Sequence, residues 1–314
     1  MTERFDYPHG VSAIDADLVR PHMASIHLLR SGDQAAIIDT GTSHARDRVL
    51  AELGKLGLAP GDVVWVVLTH IHLDHAGGAG ALMQALPNAR LLVHPRGARH
   101  MVDPSRLVAS AASVYGEETL RATYGDIQPI PAERVIESHD GMEIDFNGRR
   151  LTLLDTPGHA RHHHALVDHA SGGVFTGDTF GLAYPELAVD GCAFIFPTTT
   201  PVQFEPDAMR ASVERIAALR PECLYLTHFG RVEDVPTLRA DLLRRIDEHI
   251  AVAQDAARFP AADRYRAISE GLREHLLREL AAHGCRLDEA AALSLLEMDI
   301  DLNTQGLLHW LGTA

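Results

Sequence analysis

The sequence predicts a layered α/β protein that continues into a helical C-terminal region. Residues 63–68 form an apolar run rich in β-branched side chains, typical of a strand buried on both faces, and a stretch suited to a short helix follows. Other apolar, strand-like runs and amphipathic stretches continue to about residue 235. From Pro236 onward, apolar residues recur at four-residue spacing between charged ones, which predicts helices.

Composition limits the class of protein. A chain of 314 residues can bury a large core, as one large domain or as one domain with an appendage. Its net charge of −15 argues against nucleic acid or an anionic membrane surface as the main partner. The three cysteines are scattered and form no disulfide framework, which suits a reducing cytoplasm. The first residues lack a signal-peptide pattern, and no run approaches the roughly twenty apolar residues of a membrane span.

Two predicted strands, 24–30 and 34–41, flank a Ser-Gly-Asp turn. Asp39 closes the second strand just before a glycine. Its carboxylate could cap the helix predicted at 46–56, or it could serve a functional site, and the local sequence favours neither.

The strongest chemical signal follows the strand at 63–68. There, His70, His72, Asp74 and His75 lie within six positions, in the turn where the strand ends. Imidazole nitrogen and carboxylate oxygen suit zinc, iron or manganese better than calcium or magnesium. One tight turn can aim the first two side chains at one metal and the last two at a second. A polar loop with chance histidines is the alternative, but four ligand-type residues directly after a buried strand argue against it.

The next segments hold a strand at 90–94 and a helical, alanine-rich insertion at about 96–126. The insertion carries Tyr115 and Tyr124, which are candidates for a substrate pocket. A plain pair of surface helices explains the insertion equally well. A hairpin is predicted beyond it, with strands at 141–146 and 150–154 across Asn147–Gly148.

Three further strand ends carry metal-ligand residue types: Thr-Pro-Gly precedes His159, Thr-Gly precedes Asp178, and Leu-Thr precedes His228. Taken alone, an aspartate in a turn or a histidine at a strand end is usually structural. The tract at 162–164 is all histidine and could bind metal by itself, but we interpret it as a neighbour of His159. Phe180 and Tyr184 begin aromatic loops that could line a pocket or pack the core edge.

Together these residues resemble, in order, the five motifs of the metallo-β-lactamase-fold superfamily, whose signature is His-x-His-x-Asp-His. The motifs run from Asp39 to His228, within about the first three-quarters of the chain. The resemblance implies a four-layer αββα sandwich with a C-terminal helical extension. We therefore expect a catalytic domain at 1–235, with a helical insertion at about 96–126, and a helical subdomain at 236–314 docked on it.

The resemblance also implies a ligand set for two divalent ions, with zinc as the first expectation and iron or manganese as alternatives. The implied ligands are His70, His72 and His159 at the first metal, Asp74, His75 and His228 at the second, and Asp178 between them. Asp39 and His163 are expected to support these ligands without binding metal. His162 departs from the family, which often has glycine there, and this affects the local backbone.

The implied chemistry is attack by a hydroxide shared between the metals, with the developing oxyanion stabilised by the ions. Asp74 is also a candidate for handling the proton of that nucleophile. The sequence contains no Gly-x-Ser-x-Gly motif that would point to a serine hydrolase instead.

Two classes of function remain open. The first is hydrolysis of a thioester, lactone or related bond in a small molecule, as in the glyoxalase-II-like branch rather than a secreted β-lactamase. The second is a persulfide-dioxygenase-like oxidoreductase that uses one iron. An intact ligand set argues against a merely structural metal scaffold. In the family, insertions such as 96–126 cover the metal site or form a dimer contact, so a homodimer also stays open.

Overall fold

The structure is a computed structural model that describes residues 3–313, with the side chains of 3–112 and 116–312. The chain forms two compact units that alternate along the sequence. The first unit comprises Met1–Asp155, His162–Gly177 and Glu222–Arg231. The second comprises Thr156–Arg161, Asp178–Pro221 and Val232–Ala314. The single domain boundary expected near residue 235 stays a prediction.

Two β-sheets build the first unit. The seven-stranded sheet follows chain order and contains β1 (Arg4–Tyr7), β2 (Val11–Asp15), β3 (Ser25–Ser31), β4 (Gln34–Ile38), β5 (Val63–Val67), β6 (Arg90–Val93) and β7 (Val135–Glu137). The six-stranded sheet has the order β13-β12-β11-β10-β9-β8 and contains β8 (Glu143–Phe146), β9 (Arg149–Asp155), β10 (His164–Asp168), β11 (Gly173–Gly177), β12 (Cys223–Leu226) and β13 (Gly230–Val232).

Each sheet contains neighbouring parallel strands, and the carboxyl ends of one such pair in each sheet lead into motif residues. In the first sheet, β4 pairs in parallel with β5, so Asp39 and the loop that begins at Leu68 leave the same edge. In the second sheet, β11 pairs in parallel with β12, and these strands lead into Asp178 and Thr227. Carboxyl ends of parallel strands are the usual place for a ligand site in α/β folds.

The two sheets share one apolar core. Alternate residues of β4 divide between its faces, so Ala36 and Ile38 join the core between the sheets, whereas Ala35 and Ile37 face helices. The second sheet contributes Leu153, Leu166, Phe175 and Tyr225 to the shared core. Burial on both faces accounts for the near-continuous apolar runs in the sequence.

Six helices belong to the described part of the first unit. They are α1 (Arg46–Lys55), α2 (Leu73–Ala76), α3 (Ala79–Ala85), α4 (Pro95–Val102), α5 (Ser105–Tyr115) and α6 (Glu117–Tyr124). Val49 and Leu53 of α1, Leu82 of α3 and Met101 of α4 pack with the outer face of the seven-stranded sheet. The segment at 96–126, where the sequence predicts a helical insertion, contains most of α4 and all of α5 and α6.

The second unit is helical in its described part, with α7 (Pro206–Ala218), α8 (Val235–Ala256), α9 (Ala261–His283) and α10 (Glu289–Thr313). Its helices hold the long loop that follows Asp178. Arg245 of α8 is buried, lies 4.0 Å from the ring centroid of Phe194 and donates to the carbonyl of Ile195. Tyr184 donates to the Asp299 carboxylate of α10 at 2.9 Å.

The structure confirms the predicted α/β class with C-terminal helices and also shows where local patterns were misleading. The hairpin across Asn147–Gly148 is confirmed, and both turn residues have positive φ, 50° and 78°. The N-terminal strands β1 and β2 were not predicted. Strand β5 is less buried than expected, because Trp65 is only half-buried, with the guanidinium of Arg90 lying 5.4 Å from its ring centroid.

No helix among the described residues combines the length and apolar character needed to cross a bilayer.

Candidate metal centre

The His-x-His-x-Asp-His loop is shaped by a single turn of helix. His72 is the extended residue that precedes α2 (φ −64°, ψ 151°), and α2 then carries Asp74 and His75. His70 and His75 are fully buried, and their ring centroids lie 4.0 Å apart. The short helix therefore brings the ring of His75 back against that of His70, close to the end of β5.

Asp39 lies beneath this loop and is completely buried. Its carboxylate accepts hydrogen bonds from the backbone N–H and hydroxyl of Thr69, from Nδ1 of His75 at 2.8 Å and from the hydroxyl of Thr227 at 2.9 Å. None of these donors belongs to α1, and the N-cap residue of that helix, Ala45, makes no side-chain hydrogen bond to it. The carboxylate therefore serves the loop and not the helix, and its φ of 57° is one that aspartate tolerates.

Asp74, His75 and His228 converge within the first unit, each offering one ligand atom, and these atoms lie within 4.8 Å of one another. The Nε2 atoms of His75 and His228 are 3.3 Å apart, and both lie within 3.5 Å of Oδ2 of Asp74.

The hydrogens on these two imidazoles can be placed from their other contacts. Nδ1 of His75 faces the Asp39 carboxylate, and Nδ1 of His228 lies 2.6 Å from the carbonyl of Met23. Both partners only accept, so each Nδ1 carries a hydrogen, and in its neutral form each ring presents an Nε2 lone pair to the other. Two lone pairs and a carboxylate oxygen at this spacing repel unless a cation lies among them. The donor set therefore fits a divalent metal.

A second pair of nitrogens lies at the start of the loop. Nε2 of His70 and Nδ1 of His72 are 2.9 Å apart, and the two ring centroids are 4.5 Å apart. His163 is fully buried, with its ring 5.1 Å from that of His70. A Cβ at Gly177 would lie 2.5 Å from Nε2 of His163, so only glycine leaves room for this ring. His162 accepts from the backbone N–H of Ile71 at 3.4 Å.

The second unit holds the remaining two predicted ligands. Nε2 of His159 lies 3.4 Å from Oδ2 of Asp178, and Nδ1 of His159 lies 3.3 Å from the carbonyl of Thr198. The carbonyl can only accept, so Nδ1 carries the hydrogen and the Nε2 lone pair faces the carboxylate. This acceptor pair also fits a cation. A Cβ on Gly158 would lie 2.3 Å from the backbone of Met209, so glycine lets the His159 segment approach α7 closely.

The four predicted pocket residues have different environments. The side chain of Tyr115 lies outside the described residues, and Tyr124 is half-buried on α6. Phe180 and Tyr184 are almost completely buried, and the Tyr184 ring packs edge-on against Phe196 at 5.7 Å. These contacts do not test a pocket role, which stays a prediction.

Thr69 and Thr227 contribute to the site but were not predicted. Both hydroxyls donate to Asp39, and both threonines are buried. The sequence contained a signal for them, because Leu-Thr-His occurs at the end of both β5 and β12, directly before His70 and His228. The repeated triplet places one hydroxyl from each sheet on the same carboxylate.

Two histidines close to these elements are held neutral by burial. His27 of β3 packs against Phe175 and Tyr225, and burial lowers its pKa to about 4, although the charge of Asp39 acts in the opposite direction. Burial likewise lowers the pKa of His164 to about 4, and its Nδ1 lies 2.9 Å from the Ser138 hydroxyl. Both side chains act as neutral core groups.

The amino-acid sequence is similar to those of known proteins. The family model of the metallo-beta-lactamase superfamily matches residues 19–228. The metallo-beta-lactamase fold-containing protein ST1585 of Sulfurisphaera tokodaii is 30% identical over 71% of this chain and 79% of its own length. A hydroxyacylglutathione hydrolase of Aeromonas hydrophila is 30% identical over 65% of this chain, but the matched stretch spans only 60% of that protein.

Solved structures show the same fold. The structure of ST1585 matches with a TM-score of 0.66 and 24% identity, over 96% of this chain and 99% of the other. The metallo-beta-lactamase family protein TTHA1429 from Thermus thermophilus matches with a TM-score of 0.68 and 21% identity, over 97% of this chain and 93% of the other.

The fold and the clustered histidine and aspartate side chains define a metal-binding α/β enzyme. Because the family model spans two-thirds of its residues, the chain belongs to the metallo-β-lactamase superfamily.

Proposed function

We propose that the protein is a metal-dependent hydrolase that cleaves a thioester, a lactone or a related ester-like bond in a small molecule. The observation that carries the proposal is the cluster of Asp74, His75 and His228, whose acceptor atoms face one another at 3.3–3.5 Å. The similarity to hydroxyacylglutathione hydrolases supports the choice of bond.

In this proposal two divalent ions are bound, with zinc as the first choice and iron or manganese as alternatives. The proposed ligands are the seven residues of the family pattern: His70, His72, His159, Asp74, His75, His228 and Asp178. Asp39 and His163 are proposed to position these ligands without binding metal themselves. The strongest support for the role of Asp39 is that it fixes the hydrogen of His75 on Nδ1.

When bound, such ions lower the pKa of a coordinated water and polarise the carbonyl under attack. The chain supplies the orientation and the proton handling. The side chain of Asp74 is 26% exposed, whereas those of His75 and His228 are 0% and 6% exposed. Asp74 is therefore the group of this cluster that water and substrate reach, and we assign it the proton of the nucleophile.

The net charge of −15 bears on the substrate. A strongly anionic substrate gains no long-range electrostatic steering from such a chain, although bound ions would supply positive charge locally. We therefore infer a small-molecule substrate and no nucleic-acid partner.

The test compares hydrolysis with oxidation on the same preparation. Metal-free protein is reconstituted separately with zinc, manganese and, without oxygen, iron. Each form is assayed for turnover of thioesters and lactones, and for oxygen uptake with a persulfide. The proposal expects two metal equivalents per chain and hydrolysis. His228→Ala should lose one equivalent, whereas His139→Ala, at an exposed histidine outside the set, should retain both.

One iron per chain with oxygen uptake, and no hydrolysis with any metal, would overturn the hydrolase in favour of a dioxygenase. Absence of metal binding in the unaltered protein would overturn the metal centre itself.

A further inference from the structure

The carbonyl of Thr198 is a hydrogen-bond partner of the His159 ring. It lies 3.3 Å from Nδ1, on the side of the ring opposite the Asp178 carboxylate. Histidines that bind metal depend on such a partner, because it selects the nitrogen that carries the hydrogen and fixes the ring plane. Whatever holds Thr198 in place therefore also determines where the Nε2 lone pair of His159 points.

Asn303 of α10 holds the residues on both sides of Thr198. Its Oδ1 accepts from the backbone N–H of Thr199 at 2.6 Å, and its Nδ2 donates to the carbonyl of Pro197 at 3.1 Å. The Thr199 hydroxyl also donates to the backbone carbonyl of Asn303 at 3.1 Å. Asn303 is 1% exposed, so water does not compete for these bonds.

A second observation at the next turn of α10 shows how closely the helix approaches this segment. A Cβ built on Gly306 would lie 1.5 Å from the carbonyl oxygen of Thr199 and 3.0 Å from the carbonyl carbon of Thr200. No side chain fits there. Glycine at 306 thus permits α10 to approach Thr199 and Thr200 closely, and the hydrogen bonds of the Asn303 amide fix which residues of the segment lie opposite the helix.

We propose that Asn303 is a positioning residue of the metal centre. It fixes the 197–199 segment so that the Thr198 carbonyl keeps the His159 hydrogen on Nδ1 and leaves Nε2 for the metal. The inference rests on the proposed function, since it takes His159 to be a metal ligand. It assigns the C-terminal helix a role in metal affinity as well as in stability.

The test measures metal affinity in the full chain with Asn303→Ala. Zinc is titrated against a competing chelator, and the visible spectrum of the cobalt-substituted protein reports the ligand field. Loss of an outer partner of a ligating histidine typically lowers metal affinity about 10–100-fold. We expect that loss for one of two metal equivalents, together with an altered cobalt spectrum. His159→Ala provides the reference for complete loss of the ligand.

Thr304→Val is the matched control. Thr304 is the next residue on the same helix, is fully buried, and donates only within the helix, to the carbonyl of Ile300 at 2.6 Å. It should lower the melting temperature and leave metal affinity unchanged. If Asn303→Ala does not fold, Thr199→Val carries the test, because it removes only the hydroxyl and should give a smaller loss in the same metal equivalent.

Three outcomes separate the possibilities. Weaker binding of one equivalent in Asn303→Ala or Thr199→Val, with Thr304→Val unchanged, supports the inference. Unchanged affinity and spectrum in the Asn303 and Thr199 variants that fold, or an equal loss in Thr304→Val, would overturn it. If the unaltered protein binds no metal, both the proposed function and this inference fail, which is distinguishable because no variant is needed to see it.

Discussion

The Asp39 carboxylate is the group whose chemical replacement should affect the candidate site most. Four buried donors point at its two oxygens: the Thr69 N–H, the hydroxyls of Thr69 and Thr227, and Nδ1 of His75. In Asp39→Ala all four lose their acceptor. At about 1–3 kcal/mol for each buried unsatisfied group, the free energy of unfolding falls by roughly 4–12 kcal/mol, similar to the ~5–15 kcal/mol that stabilises a typical domain. We expect this variant not to fold.

Asp39→Asn is the more informative change, because it keeps the shape. Its amide oxygen can still accept from the N–H of Thr69. In the opposite orientation the amide NH2 would face that N–H, and two donors would oppose each other. The amide NH2 then faces Nδ1 of His75, which must transfer its hydrogen to Nε2. The lone pair beside Asp74 and His228 is lost. We expect metal affinity to fall about 10–100-fold, while the free energy of unfolding falls by only about 1–3 kcal/mol.

The assay combines chelator competition with urea unfolding of the metal-free protein. Thr227→Val is the matched control, since it removes one donor to Asp39 and leaves the bond from His75 in place. It should cost about 1 kcal/mol and leave metal affinity unchanged. If Asp39→Asn binds metal as tightly as the unaltered protein, the argument from the hydrogen on His75 is refuted.

Three further predictions follow from the site and the second unit. Asp178→Asn should lower metal affinity at least about 10-fold and abolish turnover, whereas His228→Ala should deplete one metal more than the other. Metal analysis that shows full occupancy of the Asp178 variant, together with normal activity, would contradict the role of Asp178. A chain ending at residue 235 lacks the helices that hold the loop after Asp178, so it should aggregate or melt earlier, and a soluble truncation with unchanged melting would count against it. Burial lowers the pKa of His27 to about 4 and of His249 to about 3, against about 6.5 in an unfolded chain. As the pH falls, the unfolded chain therefore takes up protons on these histidines before the folded chain does. Their contribution to the free energy of unfolding should be constant above about pH 6.5 and should decrease as the pH drops towards 4. Urea midpoints at pH 7, 5.5 and 4.5 test this prediction, and equal midpoints would refute it.

The sequence alone predicted the elements whose signals are local. The apolar run of β5, the Asn147–Gly148 turn and the four-residue spacing of α8 each depend on neighbours a few positions away, and all three are present in the structure. The ordered motif residues resemble those of the superfamily, and the family model over residues 19–228 confirms that resemblance. The short β1 and β2 were missed, since their sequences, Arg-Phe-Asp-Tyr and Val-Ser-Ala-Ile-Asp, contain no continuous apolar run like that of β5.

Tertiary structure alone decided the roles that depend on distant partners. From its neighbours, Asp39 could equally have capped α1; hydrogen bonds to Thr69 and Thr227, one from each sheet, show that it supports the loop. The partnership of Thr199 with Asn303 spans 104 residues and has no local pattern at all. Such contacts form only when folding closes long loops between segments whose own sequences specify just a strand end or a helix turn, so no reading of neighbouring residues can supply them.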